Sequence, residues 1–262
     1  LARANYNRAL ARMDLQQHED AETDLRHSIE ILEEIQRDGA SSDRVRQSLA
    51  RSHANLGILL RATKRNVEAY EQYRQATEIY ESLTDDSPTE SEFRIEQAVA
   101  LNNLANLLLA DRKTDELGLG DSPEHTSEAF EQSVEILSEL VLEYANVPRY
   151  RKELANSLNG LGALRLDSKD LVAAEQSWHS ASNELRSLVE QSPDVAEYHA
   201  SLAQTTFNLA YLSHQQKRID DRVKLLGEAV ALQSRAVALS PANVQYQQTL
   251  ESYERTANRL NQ

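Results

Sequence analysis

The sequence predicts an all-α chain, arranged as an α-solenoid of five helical hairpins with a C-terminal capping helix. Three observations predict it: a composition that favours helix, an internal echo 48 residues long, and apolar stripes at three- and four-residue steps. The 262 residues include only 7 Gly and 5 Pro, while Ala, Leu, Glu, Gln and Arg abound. Those residues lose little side-chain freedom in a helix. No stretch shows the strict alternation or β-branched enrichment of a strand.

The echo orders the chain. Leu1-Ala2-Arg3 returns as Leu49-Ala50-Arg51, with Asn7 matching Asn55, Ala21 matching Ala69 and Ile31 matching Ile79. Leu154, Leu202 and Leu250 continue the series, and nine extra residues fall between Gln97 and Leu154. Pro88, Pro193 and Pro241 keep the same beat, with Pro148 near its expected place; proline cannot continue a helix interior, so these sites mark turns. Val45, Phe93, Tyr150, Tyr198 and Tyr246 share one further position. The units are therefore 1–44, 45–92, 93–149, 150–197 and 198–245, followed by the capping helix 246–262, all in one repeat domain.

Each unit reads as two helices. In the fourth, Tyr150, Leu154, Leu158, Leu161 and Leu164 form one stripe. Asp167-Ser168-Lys169-Asp170 ends that helix and caps the next, whose stripe is Leu171, Ala174, Trp178, Ala181, Leu185 and Leu188. Small residues recur where helices must approach: Gly57, Ala105, Gly162 and Ala210 in the first helices, Ala21, Ala69 and Ala174 in the second. Ala76, Ala181 and Ala229, with Ser28 and Ser133, form a third set. Leu25, Tyr73, Phe130, Trp178 and Leu226 stand four residues after the second set. A small residue facing a bulky one is what close helix packing requires.

Asn55-Leu56-Gly57 followed by Ala69, Tyr73 and Ala76 resembles the tetratricopeptide repeat (TPR) signature, and the resemblance covers essentially the whole chain. The usual TPR unit is about 34 residues, so each unit here carries an excess, expected to lengthen the second helix and the start of the next first helix. Arg222 stands where the fifth unit should have a small residue. The run Val147-Pro148-Arg149-Tyr150-Arg151 through Asn159 resembles arrays C-terminal to the catalytic domain of bacterial Hanks-type serine/threonine kinases. Leu101-Asn102-Asn103-Leu104-Ala105 is similar to the long repeats of kinesin light chains.

Little points to chemistry. Gly118-Leu119-Gly120 lacks the flanking strand and lysine of a phosphate loop and reads as a surface loop, and the kinase motifs are absent. Ser122 has no His–carboxylate constellation nearby in sequence. The seven histidines show no metal-ligand spacing, and His18-Glu19-Asp20 reads as a solvated helix start. No catalytic residue, cofactor or metal is expected. A formal net charge of -14 argues against nucleic acid or an anionic membrane as partner. Without cysteine there is no disulfide, and no apolar run is long enough to span a bilayer. No signal peptide is present, so a cytoplasmic location is expected; an upstream membrane anchor remains compatible with it.

Stacked hairpins enclose a concave wall, and resemblance to TPR arrays implies that the first helices line it. A polar series runs along them: Arg3, Asn7, Arg51, Asn55, Asn102, Asn103, Asn106, Asn156, Asn159, Gln204, Asn208 and Tyr211, with Arg255 and Arg259 on the last helix. Asn is a poor helix former, and its amide can pair with the backbone of an extended peptide. The arginines, with Arg61, outnumber Asp14 and Asp167 along this groove and favour a partner with carboxylates. Equally, each Asn could serve packing by bonding a neighbouring helix. The first unit lacks the apolar position that precedes Leu1 in register, so further repeats, another domain or self-association are expected at that end. The function expected is a protein-interaction scaffold; the kinase resemblance implies a regulatory or targeting arm. The alternatives are a ligand- or peptide-responsive sensor whose curvature changes, and an enzyme with a site among its helices.

Overall fold

The structure, a computed structural model, describes residues 1–112, 117–118 and 123–259. Among the described residues lie eleven helices and no strand. They are α1 (Ala2–Asp14), α2 (His18–Arg37), α3 (Asp43–Ala62), α4 (Asn66–Asp86), α5 (Ser91–Asp111), α6 (Pro123–Glu143), α7 (Pro148–Asp167), α8 (Leu171–Gln191), α9 (Ala196–Gln215), α10 (Ile219–Leu239) and α11 (Val244–Asn258). The chain divides into two compact units, Leu1–Leu140 and Val141–Gln262. In the first, α1 pairs with α2 and α3 with α4, while α2 leans on α3 and α4 on α5. In the second, α7 pairs with α8 and α9 with α10, while α8 leans on α9 and α10 on α11. Each unit is thus a solenoid stack in which an element packs on its chain neighbours, as repeat folds do.

The turns explain why the helices stop. Within four of the hairpins the turn holds a residue in the left-handed region, Gln16, Lys64, Lys169 or Lys217, with φ between 59° and 64°. The amide after each of them returns to a carbonyl five residues back, as in Arg65 N to Leu60 O (2.9 Å) and Arg218 N to Ser213 O (2.8 Å). That pattern satisfies carbonyls the helix end leaves open. Between hairpins, Ser87, Ser192 and Ser240 adopt φ near -140°, out of the helical region, directly before Pro88, Pro193 and Pro241. Pro148 differs: it sits in the first turn of α7, where its missing N–H has no partner to lose. Ser42, Asp170 and Asn243 cap α3, α8 and α11 through their side chains.

Packing follows the alternation of small and large side chains. Ala21, Ala69, Ala76, Ala174, Ala181 and Ala229 are fully buried, and so, nearly, are Leu25, Tyr73, Phe130, Trp178 and Leu226. The glycines show how tight the approach is. A Cβ on Gly57 would lie 2.7 Å from Tyr73 Cε1, and one on Gly162 would lie 2.5 Å from Trp178 Nε1. Both distances are below van der Waals contact, so no larger residue fits without a shift. Arg222 is half-buried, its Nη1 3.0 Å from His214 Nδ1. The excess length over the usual repeat is shared, since the paired helices of α3 to α10 run 20 or 21 residues each. The extra residues of the third hairpin fall between Asp111 and Pro123, where other hairpin turns take three residues. Leu119, Gly120 and Ser122 lie outside the described residues, as do Leu260 to Gln262; Gly118 is exposed with φ +63°.

Candidate protein-interaction surface

The polar series sorts into side chains held by the protein and side chains left open. In the first unit, α1 presents Arg3 and Asn7, both exposed and with no side-chain partner. On α3, Asn55 is half-buried: its Nδ2 donates to Tyr6 Oη (3.0 Å) and to Arg51 O (2.9 Å). On α5, Asn102 is buried and accepts from Asn106 Nδ2 through both its backbone oxygen (2.8 Å) and its Oδ1 (3.2 Å). Asn103, half-buried beside them, makes no side-chain hydrogen bond.

In the second unit, Asn159 of α7 and Thr205 of α9 exchange hydrogen bonds at 2.9 and 3.0 Å, tying the two helices. Asn156 donates to Glu153 on its own helix (3.1 Å). Gln204 donates to Asn208 Oδ1 (3.1 Å) and accepts from Tyr253 Oη (3.1 Å), which leaves the Asn208 amide nitrogen open. Tyr211 is exposed. Tyr253 stacks on Phe207 with ring centroids 4.3 Å apart, and burial pushes its hydroxyl up to about 12. Arg255 is exposed and bonds only Glu251 O of its own helix (3.3 Å). Arg259 follows α11 as its C-cap.

The charges differ from an arginine-rich groove open to carboxylates. Arg51 is already occupied: its Nε donates to Glu96 (2.5 Å) and its Nη2 to Glu92 (3.0 Å). Glu96 is buried in the wall formed by α3, α4 and α5, where it also accepts from Gln47 (3.1 Å) and from the Tyr80 hydroxyl. Burial pushes the Glu96 carboxyl up, and Arg51 only partly opposes it. Burial likewise raises Tyr80 far above its usual value and raises Tyr6. Arg61 bonds the Tyr73 hydroxyl, which burial holds at about 12. Sequence reading missed Glu96, Gln47 and Tyr80 as neighbours of Arg51. The available signal was a glutamate one step from the apolar Ile95 and three from Phe93, a place where a purely solvated acid is out of register.

Histidines act locally. His53 is buried, its Nδ1 2.8 Å from Gln72 Oε1, and burial lowers its pKa. His199 Nε2 lies 2.8 Å from Pro193 O. Among the described residues no three His, Asp or Glu side chains come together as a metal site. None of the described helices is long and apolar enough to cross a membrane.

A family model described as tetratricopeptide repeat matches residues 2–32. No curated protein sequence matches the chain. Among solved structures, the chain is similar to a thermophilic TPR protein of Thermus thermophilus, at TM-score 0.53 and 14% identity over 97% of this chain and 98% of that one. It is also similar to BtubC from P. vanneervenii, at TM-score 0.55 and 17% identity over 90% of this chain and 91% of that one. At such identities the likeness shows the fold alone: an all-helical TPR-like array.

Proposed function

We propose that this chain is a non-catalytic protein-interaction scaffold, whose first helices hold an extended segment of a partner protein. The observation that carries the reading is a division of labour along those helices. Asn55, Asn102, Asn106 and Asn159 brace the wall, while Asn7, Asn103 and the amide nitrogen of Asn208 are left without partners. An open amide on a rigid helix can donate to and accept from a peptide backbone without dictating its side chains. Exposed Tyr211 adds an apolar face with a polar tip. With Arg51 committed to Glu92 and Glu96, a preference for carboxylates falls to Arg3 and Arg255. The stretch from Val147 to Asn159 supports a parent protein of the bacterial serine/threonine kinase type, in which the array would serve as the regulatory or targeting arm.

The test is selection of short unstructured peptides on the intact chain, followed by affinity measurement by fluorescence anisotropy. Each of Asn7→Ala, Asn103→Ala and Asn208→Ala should weaken binding by about threefold to tenfold, the worth of one hydrogen bond, with the circular dichroism unchanged. Asn55→Ala should instead lower stability. Affinity indifferent to all three open amides would sink the reading.

A further inference from the structure

In the wall of the first unit two acids share one arginine, and they hold it unequally. Glu96 of α5 is 9% exposed and takes the side-on edge of Arg51: Nε donates to its Oε1 at 2.5 Å, and Nη2 contacts the same oxygen. Gln47 donates to its other carboxylate oxygen (3.1 Å), and the Tyr80 hydroxyl of α4 also bonds it. Glu92, in the first turn of α5, reaches only Nη2, at 3.0 Å, and is 42% exposed. Arg51 Nη1 has no hydrogen bond or ion pair, and the Arg51 side chain is 38% exposed.

The two bonds differ in what it takes to part them. Separating Arg51 from Glu96 would leave a buried charge uncompensated, which is strongly unfavourable. An exposed pair such as Arg51–Glu92 contributes only a factor of about two to five. Glu96 therefore positions the guanidinium, and Glu92 is the acid that can be exchanged. With both acids on one cation the group carries an excess negative charge: burial raises the Glu96 carboxyl, and the charge of Glu92 raises it further. Replacing Glu92 by another carboxylate leaves that balance unchanged. The second unit has no such division of roles. Asn156 and Ser201 stand at the repeat positions of Arg51 and Glu96, and Glu197, at that of Glu92, pairs with Lys152 (2.5 Å).

We infer that Arg51 is a binding site for an acidic side chain of the bound segment, kept filled in the free chain by Glu92 and positioned by Glu96. The partner's aspartate or glutamate takes the Nη1–Nη2 edge, a fork that matches a carboxylate in geometry, and Glu92 turns to solvent. The inference rests on the scaffold reading and adds to it a residue that selects among bound segments. Neutral segments leave the Arg51–Glu92 pair in place, and acidic ones replace it.

The probes are two acetylated and amidated octapeptides, one alternating serine with glutamate and the other serine with glutamine. Each is titrated by NMR into the intact isotope-labelled chain. The acidic peptide should move the Arg51 Nε–H resonance and the amides around Glu92; the glutamine peptide should not. Glu92→Gln should tighten the acidic peptide by about twofold to fivefold. Glu90→Gln removes the same charge from an exposed residue that does not touch Arg51, and should not. Arg51→Gln combined with Glu96→Gln removes both members of the buried pair and so spares the fold. That double variant should weaken the acidic peptide by about twofold to fivefold and leave the glutamine peptide as it was. Equal effects of Glu92→Gln and Glu90→Gln, or an acidic peptide that binds without moving Arg51, would overturn the inference. The glutamine peptide, titrated into Asn7→Ala, Asn103→Ala and Asn208→Ala, decides the scaffold reading separately, because Arg51 takes no part in its binding.

Discussion

One repeated position holds Asp24 in the first unit and Ser177 in the second, and the arginine that meets it is Arg12 in one and Arg165 in the other. The first unit makes the place ionic. The Asp24 carboxylate is buried at 2% exposure, between Arg8 at 2.5 Å and Arg12 at 2.5 Å, and those guanidiniums hold its pKa below the usual carboxylate range. The second unit makes it neutral: Arg165 donates to Ser177 Oγ at 2.7 Å, and the place of Arg8 is taken by buried Leu161. What the two share is an acceptor for the arginine, not a charge. The same trade recurs in the large side chains, where Leu25 in the first unit corresponds to Trp178 in the second. At these places the first hairpin therefore uses ion pairs, and the fourth a neutral bond and an aromatic ring, while Tyr73 and Phe130 give the first unit aromatic packing of its own.

The sharpest way to break that contrast is Trp178→Ala. It should cost the second unit about 3–5 kcal/mol, since it opens a large cavity beside Gly162, and it also removes the Nε1 bond to Asn159 O at 3.2 Å. Leu25→Ala in the first unit should cost less, about 2–4 kcal/mol. Chemical denaturation followed by circular dichroism checks both, and equal losses would erase the distinction.

Asp24→Asn should come next, at about 1–3 kcal/mol, because it leaves two arginines facing a neutral group in a buried place. Its signature is the pH dependence. A depressed folded-state pKa contributes stability that is complete above the unfolded carboxyl range and is lost as pH falls through the depressed value. Glu96 acts in the opposite sense: its raised pKa contributes stability at low pH that is lost as pH rises through the raised value. Thermal melts across acidic pH should therefore show the first slope vanish in Asp24→Asn and the second in Glu96→Gln, with no counterpart in Ser177→Ala.

The smallest effect belongs to the hairpin turns, which the two units share. Lys64→Gly in the first unit and Lys217→Gly in the second should each stabilise by about 0.5 kcal/mol, because glycine adopts the left-handed turn without steric cost. A loss of stability at either place would mean that the lysine side chain contributes to its own unit.

Most of the fold was legible because it is written in local terms. The stripe Leu154, Leu158, Leu161 and Leu164 announces a helix by its steps alone, and Gly162, with Trp178 beyond the next turn, announces a close approach because nothing larger fits. The interaction surface was legible only as a row of residue types. Asn55, Asn103 and Asn106 look alike in sequence, yet one donates to Tyr6, 49 residues away, one has no partner, and one bonds its own helix. Arg51 reads as a free cation until Glu96, 45 residues on, is brought against it.

The order of the residues was enough to decide that the chain is helical, where its helices turn, and which of their faces are apolar, since each of these depends on neighbours a few positions apart. Which amide is open and which arginine is neutralised depended on contacts between helices tens of residues apart. Hydrogen bonds and charges act over a few ångströms in space, and spacing along the chain does not measure that distance.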